Sequence, residues 1–199
     1  MKSTFKNISS EKQELVIDAA FIEFGKYGYV NASTNRLVKT LGISKGSLFK
    51  YFDGKLDLYL YLLERCVKNL VEYMQSFTPS SKGKIDENLL AYAAYEFDYL
   101  ANNTSEYLFF FQFTKEMNHP DLVEYRDKLN SESYLIAQTL FDDLQMGSDL
   151  GLRKHLMFIL ASYNRSFMDG LPENYEWKSL KYTYLEGLKN HLKYIDWSG

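Results

Sequence analysis

The chain is short of the residues that punctuate or staple a fold. Its 199 residues include three prolines, eleven glycines and one cysteine. Sheets with many turns need more glycine and proline than this, so an all-α fold is expected. A lone cysteine, Cys66, leaves no internal disulfide and suits a reducing compartment. No apolar run approaches the ~18 residues of a membrane span. The opening stretch MKSTFKNISSEKQ lacks the apolar segment of a secretory signal. Secreted, membrane-spanning and disulfide-stapled proteins are therefore not expected, and a cytoplasmic location without membrane contact is. Also lacking are a glycine-rich phosphate loop, a nucleophile elbow and a dinucleotide fingerprint.

What is there is a globular composition, 46% hydrophobic, 25% charged and 17% aromatic. The net charge of −3 is unevenly spread: residues 1–59 carry +3 and residues 60–199 carry −6. A local basic surface, and not a basic whole protein, is what nucleic-acid binding requires.

Helix signals run the length of the chain. Ser10 and Gln13 have the spacing of a capping box, and Val16, Ile17, Ala20, Phe21 and Phe24 follow at helical spacing until Gly25 and Gly28. Residues 29–32 read as a loop, Ser33 as the next cap, and Gly42 as the end of a short second helix. Ser44 caps a third helix, with Ile43 and Leu48 placed as a hydrophobic staple. A long helix is expected over 56–77, then further helices over 85–102, 105–117, 121–146, 150–169 and 174–195. The plan is a three-helix head, residues 1–55, and a helical body, residues 56–199.

The head has the size and turn of a helix-turn-helix, joined at Leu41-Gly42-Ile43-Ser44. In its second helix Leu48 and Phe52 lie within about 40° of each other and define the inner side. Gly46 and Lys50 then point outward, flanked by Ser47 and Phe49. A glycine there costs about 1 kcal/mol of helix propensity. It makes sense where another surface comes close. Helix pairs of this kind also occur in proteins that bind no DNA.

The stretch from Ile43 to Leu58, ISKGSLFKYFDGKLDL, closely resembles the signature of TetR-type transcriptional regulators. Upstream, Val16 to Ala20, Phe24, Gly28-Tyr29 and Ser33-Thr34 match the same family, and downstream so does His119-Pro120-Asp121-Leu122. The resemblance implies an N-terminal helix-turn-helix head and a C-terminal body for ligand binding and dimerisation. It implies a homodimer that binds a palindromic double-stranded DNA operator and is released by a small-molecule effector, most simply as a repressor. Thr34 and Asn35 fall at the phosphate-touching start of the second helix. Ser44, Lys45 and Gly46 open the recognition helix, Ser47 and Lys50 are its base-reading candidates, and Phe49 and Tyr51 complete the contact set. Lys55 matches a phosphate-anchoring lysine. Phe49 stands where the family usually has tyrosine, so that hydroxyl is lost to phosphate, and Val38 replaces the usual alanine.

The body carries less specific signals. Rings crowd residues 91–113, which suits either a pocket for a small apolar or aromatic effector or an ordinary core. Phe97, Phe111, Tyr134 and Asn164 are the effector-site candidates. Leu156, Leu160, Tyr163 and Phe167 form one apolar stripe and Leu180, Tyr184 and Leu188 another, the candidates for the dimer interface. Glu116-x-x-His119 has the spacing of a di-metal bundle motif, but no second copy exists and Pro120 disfavours helix at His119. No metal, no cofactor and no enzyme activity are expected. The alternative to a regulator is a helical small-molecule or protein-binding module without sequence-specific DNA recognition.

Overall fold

The computed structural model describes residues 1–80, 84–129, 141–142, 150–171 and 175–195, and among them are helices and connections with no strand. The helices are α1 (Ser3–Lys6), α2 (Ser10–Asn31), α3 (Thr34–Leu41), α4 (Lys45–Tyr51), α5 (Lys55–Met74), α6 (Ile85–Asn102), α7 (Thr104–Glu116), α8 (Leu150–Asp169) and α9 (Trp177–Leu192). Residues 123–129 are helical as well. Among the described residues no helix is long and apolar enough to cross a membrane. Two compact units result: Met1–Glu72 with Asn103–Leu129, and Tyr73–Asn102 with Asn130–Gly199.

In the first unit, serine caps start the short helices. The Ser33 hydroxyl accepts the Arg36 N–H at 3.4 Å, and the Ser44 hydroxyl accepts the Ser47 N–H at 3.0 Å. The start of α2 departs from expectation. Ser9, not Ser10, takes the cap position and accepts from Lys12 N–H at 3.4 Å. The Gln13 amide donates to the Ile8 carbonyl at 2.9 Å instead of closing a capping box, because the turn after α1 brings that carbonyl within reach.

The end of α2 is a second correction. Gly25 does not stop the helix; it lies against α7, where a Cβ would sit 3.2 Å from the Phe109 nitrogen. Glycine here allows the two helices to approach closely. Gly28 bends the chain within one residue (φ 70°, ψ 178°), after which helix resumes to Asn31. The expected loop at 29–32 is thus mostly helical, held by Ala32 N–H on the Gly28 carbonyl at 3.1 Å.

Phe24, Leu48, Phe52, Tyr59, Leu62 and Phe109 share one buried core, so the head helices, α5 and α7 close on the same apolar interior. Burial of each Phe or Leu among them contributes about 1.5–3 kcal/mol relative to exposure. Cys66 lies in this core, its thiol on the Glu106 carbonyl at 3.7 Å and pushed up in pKa by burial.

The second unit packs α6, α8 and α9 around Leu89, Phe97, Leu156, Tyr184 and Leu188. Helices α6 and α8 have the expected bounds. Helix α5 stops at Met74, α7 runs one residue earlier than expected at each end, and α9 covers Trp177–Leu192. Of the helix expected over 121–146, residues 130–140 and 143–146 lie outside the described residues.

Candidate nucleic-acid interface

Helix α4 has two chemically different sides. Leu48 and Phe52 are buried, at 1% and 0% exposure, and hold the helix on the core. Lys45, Gly46 and Lys50 are exposed on the other side, with Ser47 and Phe49 partly exposed between them. A Cβ at Gly46 would meet only the Ser44 hydroxyl, at 3.7 Å, so this surface is open to an approaching molecule. The Lys45 ammonium lies 5.8 Å from the centre of the Phe49 ring. The Ser47 hydroxyl shares a 2.9 Å hydrogen bond with that of Ser44, which ties its orientation to the cap.

The approach to α3 is fixed from below by a buried carboxylate. Glu23 accepts the Ser33 N–H at 2.7 Å and Arg36 Nη2 and Nε at 2.7 and 3.1 Å. Arg36 also donates to the Asn31 carbonyl at 2.9 Å and covers the Tyr27 ring at 4.0 Å. Thr34 and Asn35 therefore stand, half-exposed and exposed, at the end of a rigidly held turn.

Two nominated contacts are engaged inside the chain. Lys55 donates to the carbonyls of Val30 at 3.1 Å and Ala32 at 3.5 Å, and sits 4.8 Å from the centre of the Tyr29 ring. Its ammonium, on a half-exposed side chain, holds the connection before α3. Tyr51 is half-buried with its ring 5.5 Å from Phe5, on the side where α1 packs.

Residues 16–62 match the family model described as bacterial regulatory proteins, tetR family. The match to the family is confined to the head. The chain is similar to the nucleoid occlusion factor SlmA of Haemophilus ducreyi, 28% identical over 94 residues, 47% of this chain and 45% of that protein. It is equally similar, 28% over 102 residues, to the transcriptional activator FasR of Mycolicibacterium smegmatis, covering 51% and 46% of the two chains. The match thus spans under half the length of these curated relatives. A TetR family transcriptional regulator from Chloroflexus aurantiacus J-10-FL shares the fold over 96% of this chain and 93% of that one, with a TM-score of 0.65 at 19% identity.

The loop His119-Pro120-Asp121-Leu122 has a visible task here. Glu116 at the end of α7 accepts the Tyr29 N–H at 2.6 Å, directly beside the Gly28 bend. The Tyr29 hydroxyl donates to Asp121 at 2.8 Å, and its ring meets the His119 ring at 5.2 Å. Burial, with the Asp121 carboxylate, pushes the Tyr29 hydroxyl up to about 12. Glu116 and His119 are both spent on Tyr29, and among the described residues no group of three His, Cys, Asp or Glu is placed for a metal.

Sequence reasoning missed Glu23, Arg36 and Glu116 as partners of the backbone. Gly28 was the only local signal: a Cβ there would fall on the Glu116 carboxylate. It also missed residues 2–5, which pack on the end of α4.

The body nominees separate. Phe97 and Asn164 lie in the second unit, both against Tyr184: the rings of Phe97 and Tyr184 are 5.1 Å apart, and the Tyr184 hydroxyl donates to Asn164 Oδ1. Asn164 Nδ2 reaches Glu96 at 3.5 Å. Phe111 belongs to the first unit, under the Lys115 ammonium at 4.4 Å. Tyr134 lies outside the described residues.

Of the dimer nominees, Leu156, Tyr184 and Leu188 are 0%, 4% and 0% exposed within their own chain. That corrects their assignment to a partner surface: stripes at helical spacing serve the nearest apolar interior first, and these three serve the second unit. Leu160, Tyr163, Phe167 and Leu180 are half-buried on the same core. Among the described side chains, the large apolar ones exposed on α8 and α9 are Phe158 and Tyr182, at 70% and 73%.

Proposed function

We propose that this chain is a ligand-responsive DNA-binding transcriptional regulator, a repressor, that binds a palindromic operator as a homodimer and releases it when a small-molecule effector binds. The observation that carries the reading is α4: a short capped helix with Leu48 and Phe52 inside and Lys45, Gly46 and Lys50 outside. Lys50 is the foremost base reader, since lysine can donate to guanine O6 and N7. Thr34, Asn35, Ser44, Lys45, Gly46, Ser47, Phe49, Tyr51 and Lys55 form the rest of the DNA-facing set. The division of labour is a head, 1–55, that reads DNA and a body, 56–199, that senses and dimerises. The protein works in the cytoplasm and catalyses no reaction.

One small head reads few base pairs, whereas two heads about 34 Å apart read successive major grooves on one face of the duplex. Phe158 and Tyr182 supply the apolar surface for the partner subunit. The effector, a small apolar or aromatic molecule, binds in the body near Phe97 and Asn164. It shifts the heads out of register only by the difference in its affinity for the two arrangements.

Selection of bound duplexes from a random pool at two salt concentrations tests the reading. The expected result is an inverted repeat that survives the higher salt; binding without a motif that vanishes as salt rises overturns it. On the selected duplex, Lys50→Ala is expected to lower discrimination against single-base changes by about tenfold or more. Equal discrimination by variant and wild type removes Lys50 from the base-reading role.

A further inference from the structure

Helix α4 has seven residues, under two turns, and helices so short depend on contacts beyond themselves. The carbonyls of its last turn lack further helix N–H groups to bond. All four are satisfied here, three of them by the segment that precedes α2. The Phe52 N–H donates to the Leu48 carbonyl at 3.1 Å. Lys2 Nζ donates to the Phe49 carbonyl at 2.9 Å, the Thr4 hydroxyl to that of Lys50, and the Lys2 N–H to that of Tyr51 at 2.8 Å. Lys2 Nζ also pairs with Asp53 at 2.8 Å, just past the helix end. A cation at this position complements the negative end of the helix dipole. Phe5 anchors the segment: it is fully buried, with its ring 4.9 Å from Phe52 and 5.9 Å from Tyr61.

We propose that Lys2, Thr4 and Phe5 are positioning residues that set how α4 presents Lys45, Ser47 and Lys50, and so determine sequence discrimination without touching a base. The proposal rests on the reading of α4 as the base-reading helix. Base-edge hydrogen bonds demand close geometry, whereas phosphate contacts are sequence-blind and tolerate small shifts. Loosening the end of α4 therefore costs discrimination before it costs affinity for DNA in general.

The test uses the full chain, the duplex enriched by selection, and a scrambled duplex of equal length. Phe5→Ala removes the anchor. Lys2→Met with Thr4→Val removes two donors, both from exposed or half-exposed positions, and leaves Phe5 in place. Both changes are expected to lower the affinity ratio of the two duplexes by about tenfold while affinity for the scrambled duplex and its salt dependence stay as in wild type. Thr4→Ser, which keeps the hydroxyl, is expected to keep the ratio. A folded double variant whose ratio stays within about twofold of wild type overturns the proposal, whatever Phe5→Ala does. So does a salt slope lowered by about one at unchanged ratio, which makes Lys2 a phosphate contact. Lys50→Ala separates the two readings. If it lowers the ratio and the double variant does not, the clasp alone fails; if neither does, α4 is not the reader and both fall.

Discussion

The two units are made of the same helical material but are pinned by different chemistry. In the first, buried or half-buried carboxylates hold backbone: Glu23 takes the Ser33 N–H and Glu116 takes the Tyr29 N–H. In the second, neutral groups do the pinning: Asn88 takes the Ser80 N–H at 2.9 Å, Tyr163 donates to the Tyr184 carbonyl at 2.7 Å, and Tyr184 donates to Asn164. A charge-assisted bond to a main-chain N–H fixes the path of the chain and is about twice as strong as a neutral one. A neutral amide or hydroxyl contact holds such groups less strongly. A surface that must present one geometry repeatedly suits the first device, and an interior that accommodates something variable suits the second.

Four changes sharpen or break this contrast. The largest effect is expected from Gly28→Ala. The residue has a positive φ with extended ψ, a region close to glycine-only, and the new methyl would displace Glu116 from Tyr29. A loss of about 3 kcal/mol or more in denaturant unfolding is expected; less than about 1 kcal/mol would mean that the carboxylate is not what holds the bend. Glu23→Gln follows, at about 1–2 kcal/mol, because a neutral acceptor replaces the charged one serving Ser33 and the guanidinium of Arg36. Gly187→Ala is the counterpart in the second unit. Its methyl would enter the space of the Tyr163 hydroxyl, but a ring can turn where a backbone cannot. About 1 kcal/mol is expected there, and a loss equal to that of Gly28→Ala would erase the contrast.

The smallest effect is one of pH and touches both units alike. Burial raises the hydroxyls of Tyr29, to about 12, and of Tyr59 and Tyr184 further. Their neutral forms belong to the folded state, so the stability they confer is whole below pH 10 and is lost as pH climbs through 10 to 12. The buried Cys66 thiol, also raised, adds an earlier and smaller decline once a free thiol would ionise, at about pH 8.5. Unfolding free energy should therefore be flat from pH 7 to about 8, ease downward, and fall more steeply above 10 together with phenolate absorbance. A curve with no steeper fall above pH 10 would remove the tyrosines from the account.

Much of the head was legible because its signals are local. Ser33, Ser44 and Gly42 act on N–H and carbonyl groups within four residues, and the Leu48–Phe52 spacing needs only the helical period. Ile85–Asn102 and Leu150–Asp169 were readable from their breakers for the same reason. The choice between Ser9 and Ser10 was not, since adjacent serines cap equally well until α1 places the Ile8 carbonyl beside Gln13. Nor could an apolar stripe on α8 or α9 say whether it faces its own chain or another.

By itself, then, the amino-acid order determined an all-helical fold, a helix-turn-helix with its inner and outer sides, and the resemblance of the head to TetR-type regulators. These follow from periodicity, caps and glycine, all of which act over a turn or two. The tertiary structure alone decided that Glu116 meets Tyr29 across 87 positions, that Lys55 reaches the Val30 carbonyl, that Phe5 closes on α4, and that Leu156 and Leu188 belong to the chain's own core. Such pairings join residues far apart in sequence, and nothing in either residue's neighbourhood along the chain names its partner. Only packing, which competes all apolar faces and buried polar groups against one another at once, selects them.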